Sequence, residues 1–252
     1  MGLIFDHVSI SYRQPVLQEV SFCVPEGEIT VLLGSNGAGK TSLIRCVMGE
    51  KTDYSGTIRL GERDIRGLSL GERAGKIACL PQNLPAPHVK LRELVSYGRS
   101  PYVPLSGKLS AFDQERINWA MERAGVQGWE EKWVDYLSGG ERKKAFFAMV
   151  LAQDTPLIMM DEPTAHLDSI SRFHFLRLLE QLRKETRKTF LLVMHELPEV
   201  LQIAHKIVAV RDGQKVFEGT PEKFLSEGIP ESVFGIRVSG NREQGYGIAP
   251  TF

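Results

Sequence analysis

The sequence predicts an α/β fold built on a parallel sheet, with a helical insert. Three observations carry this prediction. Short continuous apolar runs occur at ITVLLG (29–34), LIMMD (157–161) and TFLLVM (189–194), the texture of strands buried on both faces. A glycine-rich loop, GSNGAGKT (34–41), joins the first run to a helical pattern. From residue 83 to about 154 strand texture gives way to helical periodicity, and then strands resume.

A chain of 252 residues can form one large α/β domain or two modest ones, with a sizeable core. Lys+Arg and Asp+Glu both number 31, so no global charge draws it to nucleic acid. Cys23, Cys46 and Cys79 are scattered without a CxxC pair and read as buried, reduced thiols. The N-terminal MGLIFDHVSI lacks a basic region followed by an apolar one, so it does not read as a signal peptide. No apolar run approaches the roughly 18 residues needed to span a bilayer. The expectation is a cytoplasmic chain that reaches any membrane through a partner.

In order, LIFDHVSISY and VLQEVSFCV read as strands, and PEGE as a turn before ITVLLG. SLIRCVMGE is a helix ending near Gly49, GTIRLGERDI a hairpin about Gly61-Glu62, and KIACLPQ a strand stopped by Pro81. LRELVSYG, AFDQERINWAMERAG and ERKKAFFAMVLAQ are helical, the last apolar nearly all round from Ala145 to Leu151 and so buried. In SISRFHFLRLLEQLRKE the residues Ile170, Phe173, Leu176, Leu179 and Leu182 form one apolar stripe. KIVAV and KVFEG close a hairpin at Gly213, and Thr220 caps a short helix ahead of Pro221. The last twenty residues carry no clear pattern.

GSNGAGKT matches the P-loop pattern at Gly34, Gly39, Lys40 and Thr41. Its glycines let successive amides face phosphate oxygens, and the following helix adds its positive end. Lys40 would neutralise β- and γ-phosphates, and the Thr41 hydroxyl would hold Mg²⁺. LIMMD delivers Asp161 and Glu162 at a strand end, the first suited to Mg²⁺ and the second to activating water. Alone, such a pair often just caps a sheet; beside a P-loop it reads as chemistry. Gln82 and His195 also follow apolar strands, and together with the acidic pair they could line one sheet edge.

Tyr12 could stack on adenine or simply pack. In LSGGE, Ser138 and Glu141 fit a capping box, but Gly139 and Gly140 cost helix stability and suit an anion. Arg142, Lys143 and Lys144 read as a solvated helix start. His7, His88, His166, His174 and His205 show no metal-ligand spacing.

Together these residues resemble the ATP-binding cassette (ABC) ATPases over nearly the whole chain. GSNGAGKT resembles the Walker A loop, LPQ the Q-loop, LSGGE the signature, LIMMDE Walker B, AHLD the D-loop and MHE the switch-histidine region. The resemblance implies a P-loop NTPase fold, with a RecA-like core, an antiparallel β subdomain and an inserted α-helical subdomain. It would form a single domain, with core at 1–82 and 155–228, helical subdomain at 83–154 and tail at 229–252. It implies ATP and Mg²⁺ as cofactors. ATP would be held by Tyr12, Gly34, Ser35, Asn36, Gly37, Ala38, Gly39, Lys40, Thr41 and Ser42, and Mg²⁺ by Thr41, Gln82 and Asp161.

In that family two chains pair head to tail. Ser138, Gly139 and Gly140 would reach the γ-phosphate held by the other chain, and Asp168 would link the two sites. Glu162 would be the base, with Gln82, His195 and Lys40 completing the catalytic set. LRELVSYGRSPY, AFDQERINWAMERAGV and the late VFGI are most similar to importer ATPases for iron–siderophore, haem and cobalamin. Lys143 and Lys144 depart from the Gln-Arg more usual after the signature.

The implied partners are a second ATPase chain, transmembrane permease subunits meeting residues 83–110 and, indirectly, an extracytoplasmic binding protein, with no nucleic acid. The implied location is the cytoplasmic face of the cell membrane. Zinc or manganese importers, and soluble cassettes in cofactor or cluster assembly, carry the same motifs and stay open.

Overall fold

Alternation decides the layering here. Along each central strand successive side chains point to opposite faces, and both faces are apolar. The computed structural model describes residues 2–35, 37–103, 107–165, 167–242 and 245–251. The chain begins with antiparallel strands β1 (Leu3–Ser11) and β2 (Pro15–Val24), then β3 (Ile29–Gly34) and helix α1 (Lys40–Met48). The hairpin β4 (Tyr54–Leu60) and β5 (Arg63–Asp64), the short α2 (Leu70–Ala74) and β6 (Ile77–Leu80) follow.

Next come α3 (Leu91–Ser96), tightening into a 3-10 helix at Tyr97–Tyr102, then α4 (Ala111–Arg123) and α5 (Gly139–Gln153). The core resumes with β7 (Leu157–Asp161), α6 (Ser169–Thr186), β8 (Thr189–Met194) and α7 (Leu197–Ile203). The chain closes with β9 (Lys206–Arg211), β10 (Gln214–Gly219), α8 (Pro221–Ser226), α9 (Ile229–Phe234), β11 (Ile236–Asn241) and β12 (Gly245–Pro250).

The six-stranded sheet runs β10-β9-β3-β8-β7-β6, parallel except for β10 at its edge. Ile29, Val31 and Leu33 of β3, Ile158 and Met160 of β7, and Phe190 and Leu192 of β8 face one core, shared with α3–α8. Leu32, Met159, Leu191 and Val193 face the other, shared with α1 and the four-stranded sheet β2-β1-β4-β5. Continuous apolar runs in the sequence are thus two alternating faces, each with its own partner layer.

Arg99 gathers the insert. Its Nε donates to Asp113 Oδ1 on α4 at 2.8 Å, and its Nη1 donates to the Ala152 carbonyl of α5 at 2.9 Å. The two ionic side chains are only 4% and 8% exposed. The Ser110 hydroxyl foremost, and then Arg99, hold the Asp113 carboxyl below its usual range. At the same end of α5, its C-cap Asp154 accepts through Oδ1 from Arg116 on α4 (3.0 Å) and from the buried Lys188 ahead of β8 (2.8 Å), tying insert to core.

Three expectations need correction. On α6, Ile170 is 70% and Phe173 43% exposed, while Phe175, Leu176, Leu179 and Leu182 are buried. Residues three apart advance 300° at 3.6 residues per turn, so a stripe of that spacing drifts off the core face. Cys23 is exposed and only Cys46 is fully buried; Cys23 sits on the outward side of β2 between inward Phe22 and Val24. The apparently patternless end forms α9 and the hairpin β11–β12, with Ile236, Val238 and Tyr246 packed on the main core. Arg242 fastens it, donating to the carbonyls of Gln202 and Ala204 at the end of α7.

Truncating one member of a buried, hydrogen-bonded pair leaves an uncompensated charge. Arg99→Ala is therefore expected to cost about 3–5 kcal/mol of unfolding free energy, measured by denaturant titration.

Candidate functional site

The loop after β3 is shaped by its last glycine. Gly39 lies at φ 87°, and a Cβ there would come within 2.6 Å of Leu17 Cγ, so neither conformation nor space admits a side chain. It is the N-cap of α1 and supplies no capping side chain, which leaves the first-turn amides of that helix for an anion. Lys40 is buried; its Nζ donates to the carbonyls of Gly34 (2.9 Å) and Ser35 (2.8 Å). Burial lowers its pKa, and the carboxylates of Glu162 and Asp161 pull it back up.

The order β3-β8-β7-β6 brings the C-terminal ends of these strands side by side. Asp161, at the end of β7, accepts from the Thr41 hydroxyl at 2.7 Å. Its carboxyl is pushed up by burial, against the Thr41 hydrogen bond. Glu162 takes a positive φ of 48°, a conformation costly for a side chain, and its amide donates to the Val193 carbonyl of β8 at 3.0 Å. Its Oε2 accepts from Gln82 Nε2 at 2.7 Å, and its Oε1 lies 3.5 Å from His195 Nδ1.

Gln82, Glu162 and His195, from three neighbouring strand ends, thus meet as a contiguous polar set. Gly37, Lys40, Thr41, Ser42, Gln82 and Glu162 line one cleft of about 310 Å³ with Val16, Gly39 and Val193. Asn36 lies outside the described residues.

Tyr12 stands just after β1, 53% exposed, its hydroxyl 3.3 Å from Ser42 Oγ. Lys51, whose position carries no sequence pattern, is buried with its ammonium 4.4 Å from the centre of that ring and 2.7 Å from Asp53. The ring is thereby held by a hydroxyl and a cation while much of it stays open.

The signature segment lies elsewhere. Ser138 is the N-cap of α5, its Oγ accepting from the Glu141 amide while Glu141 Oε2 accepts from the Ser138 amide at 3.0 Å. The capping box forms as the spacing predicts. A Cβ on Gly139 would meet nothing within 4 Å, and one on Gly140 only Leu167 at 3.7 Å, so packing within the chain does not call for either glycine. Neither they nor Ser138 lines the P-loop cleft. Asp168 caps α6, accepting from the amides of Ile170 (3.0 Å) and Ser171 (2.9 Å) and from the Ser171 hydroxyl (2.6 Å).

One reading fails here. The run 142–144 is not simply a solvated helix start, because Lys143 is 6% exposed and donates to the carbonyls of Ala165 (2.6 Å) and Glu162 (3.3 Å). Its position on the inward side of α5, in line with Phe147 four residues on, was the available signal.

Among the described residues no group of three or more His, Cys, Asp or Glu could hold a metal, and no helix is long and apolar enough to cross a membrane. The sign of the Asp161 shift makes a prediction. With the folded pKa above the unfolded one, rising pH ionises the unfolded chain first and the fold loses stability through the carboxylate range. Asp161→Asn should raise the melting temperature of the nucleotide-free chain at neutral pH, and the gain should fade on acidification below that range.

The family model described as ABC transporter matches residues 17–165. The chain is 34% identical over 237 residues to the iron(3+)-hydroxamate import ATP-binding protein FhuC of Bacillus subtilis (strain 168), covering 93% of this chain and 88% of that one. It is 35% identical over 223 residues to the hemin import ATP-binding protein HmuV of Rhodococcus jostii (strain RHA1), covering 88% and 75%. In fold it is similar to cbiO1 from Clostridium perfringens, part of the ABC transporter complex cbiONQ, with TM-score 0.79, 22% identity and coverage of 92% and 95%. The chain belongs to the ABC transporter family.

Proposed function

We propose that this chain is the ATP-hydrolysing, energy-coupling subunit of an importer for iron chelates of the siderophore or haem class. One observation carries the catalytic half of the reading. Glu162 is held between Gln82 and His195, beside a P-loop whose Thr41 is hydrogen-bonded to Asp161. The cargo half is supported by the similarity, along nearly the full chain, to import ATP-binding proteins for iron(3+)-hydroxamate and hemin.

In this reading the loop amides and Lys40 hold the β- and γ-phosphates of ATP, and Tyr12 stacks on its base. The oxygens of Thr41 and Gln82, with Asp161 beside Thr41, suit a hard cation and would hold Mg²⁺. That ion would spread the phosphate charge. Glu162 takes the proton of the attacking water, and Gln82 and His195 fix where the carboxylate and the γ-phosphate stand.

Ser138, Gly139 and Gly140 form the other half of a site, completed by the P-loop of a second copy, with Asp168 at the seam. The open space beside Gly139 and Gly140, at the N-terminus of α5, supports that pairing. The helical subdomain at 83–154, inserted in the core at 1–82 and 155–228, meets the permease through 83–110. That contact places the chain at the cytoplasmic face of the membrane, with the extracytoplasmic binding protein on the far side.

Two tests follow. Cells carrying Lys40→Ala should lose uptake of labelled ferric siderophore or haem; retained uptake of both, with loss of zinc or manganese uptake, would reassign the cargo. Ser138→Arg should keep single-chain ATP affinity within about threefold yet abolish ATP-driven pairing, read by size-exclusion chromatography in a Glu162→Gln background. Normal pairing would remove these residues from the shared site.

A further inference from the structure

Lys143 is an expensive residue for its position. It is 6% exposed, and burial lowers its pKa. Among the described residues no carboxylate lies within ion-pair distance of it, although the Glu162 carboxylate draws the pKa part of the way back; its hydrogen-bond acceptors are two main-chain carbonyls. A methionine would fill similar volume without burying a charge, at the cost of leaving both carbonyls without this donor. An ammonium there therefore calls for a reason beyond filling space.

Its acceptors suggest one. The carbonyls of Glu162 and Ala165 are the two ends of a single turn, closed by Ala165 N donating to Glu162 O at 3.1 Å. Lys143 spans that turn from α5. Glu162, at its head, already holds a left-handed φ of 48° and is fixed on its amide side by Val193 O at 3.0 Å. Lys143 fixes the carbonyl side. What then stays free is the side chain, directed at Gln82 and His195. The same helix begins five residues earlier at Ser138, so one rigid rod carries the signature at its tip and this lysine on its inward face.

We infer that Lys143 is a positioning residue for hydrolysis: it ties the helix that opens at Ser138 to the main chain of Glu162, so that the pose of the helix sets the aim of the carboxylate. Contact from a second chain at the signature is thereby passed to the base within the same chain. The inference rests on the reading of Glu162 as general base.

A four-corner cycle on the full chain tests it, with Lys143→Met, Glu162→Gln, the double variant and the parent compared for ATP turnover. Lys143→Met should lower kcat by about 10–100-fold, the scale of a displacement near 1 Å, with KM for ATP held within about threefold. On top of Glu162→Gln it should cost no more than about threefold, because its target is gone. Lys143→Gln, which keeps an N–H donor without the charge, should recover most of the turnover, and it separates lost donation from misfolding.

Three results overturn the inference while leaving the base intact: parent-like kcat in Lys143→Met, a KM rise at constant kcat, or full additivity with Glu162→Gln. Parent-like turnover in Glu162→Gln alone overturns the base assignment and this inference with it.

Discussion

The parallel register of β3, β8, β7 and β6 is the constraint on which the rest depends. Parallel pairing puts every strand's C-terminal end on one edge, and this chain places a polar residue at each of those ends. The P-loop leaves β3, Asp161 and Glu162 leave β7, His195 leaves β8 and Gln82 leaves β6. None of these side chains has to travel; a backbone ladder, satisfied strand to strand, sets their spacing. The two apolar layers on the faces of the sheet matter to chemistry chiefly because they keep that ladder packed and dry.

Buried charge then does what apolar packing cannot, which is to fix orientation. Arg99, Lys188, Arg73 and Lys143 are all buried cations that donate to main-chain carbonyls, two of them also to carboxylates. A methyl group slides over its neighbours at little cost, whereas a hydrogen-bonded cation holds one partner in one direction. The helical insert is attached at points of this kind, through Arg99 within it and through Asp154 and Lys188 to the core. Among the described residues the insert is thus joined by a few directional ties on an otherwise apolar contact.

Legibility in the sequence followed the range of the interaction. Strands with apolar runs, the P-loop turn, the capping box at Ser138 and the Thr220 cap were readable because each depends on residues a few positions apart. The polar set at the sheet edge was readable only as a suggestion, since its meeting depends on strand order, which no local pattern specifies. Lys143 and Lys51 were missed because a lysine stem looks the same whether its head reaches water or a carbonyl. The stripe on α6 misled through its period: spacing of three drifts around a helix, and Phe175 rather than Phe173 faces inward. The last segment hid because its hairpin strands carry glycine and proline, and what holds them is Arg242 reaching the end of α7.

The bonds of Lys40 to the carbonyls of its own loop have a thermodynamic consequence. The ammonium is already satisfied by Gly34 and Ser35, so on its proposed role an arriving phosphate would compete with oxygen atoms of the protein as well as with water. The enthalpy of capture would then be a difference between similar bonds, small for so charged a contact. In exchange the loop would keep its curvature between successive nucleotides, because the cation proposed to receive phosphate also braces it through Gly34 and Ser35. On the proposed role of Lys40, release after hydrolysis would be eased by the same substitution run backwards, with the carbonyls retaking the lysine as the phosphate departs.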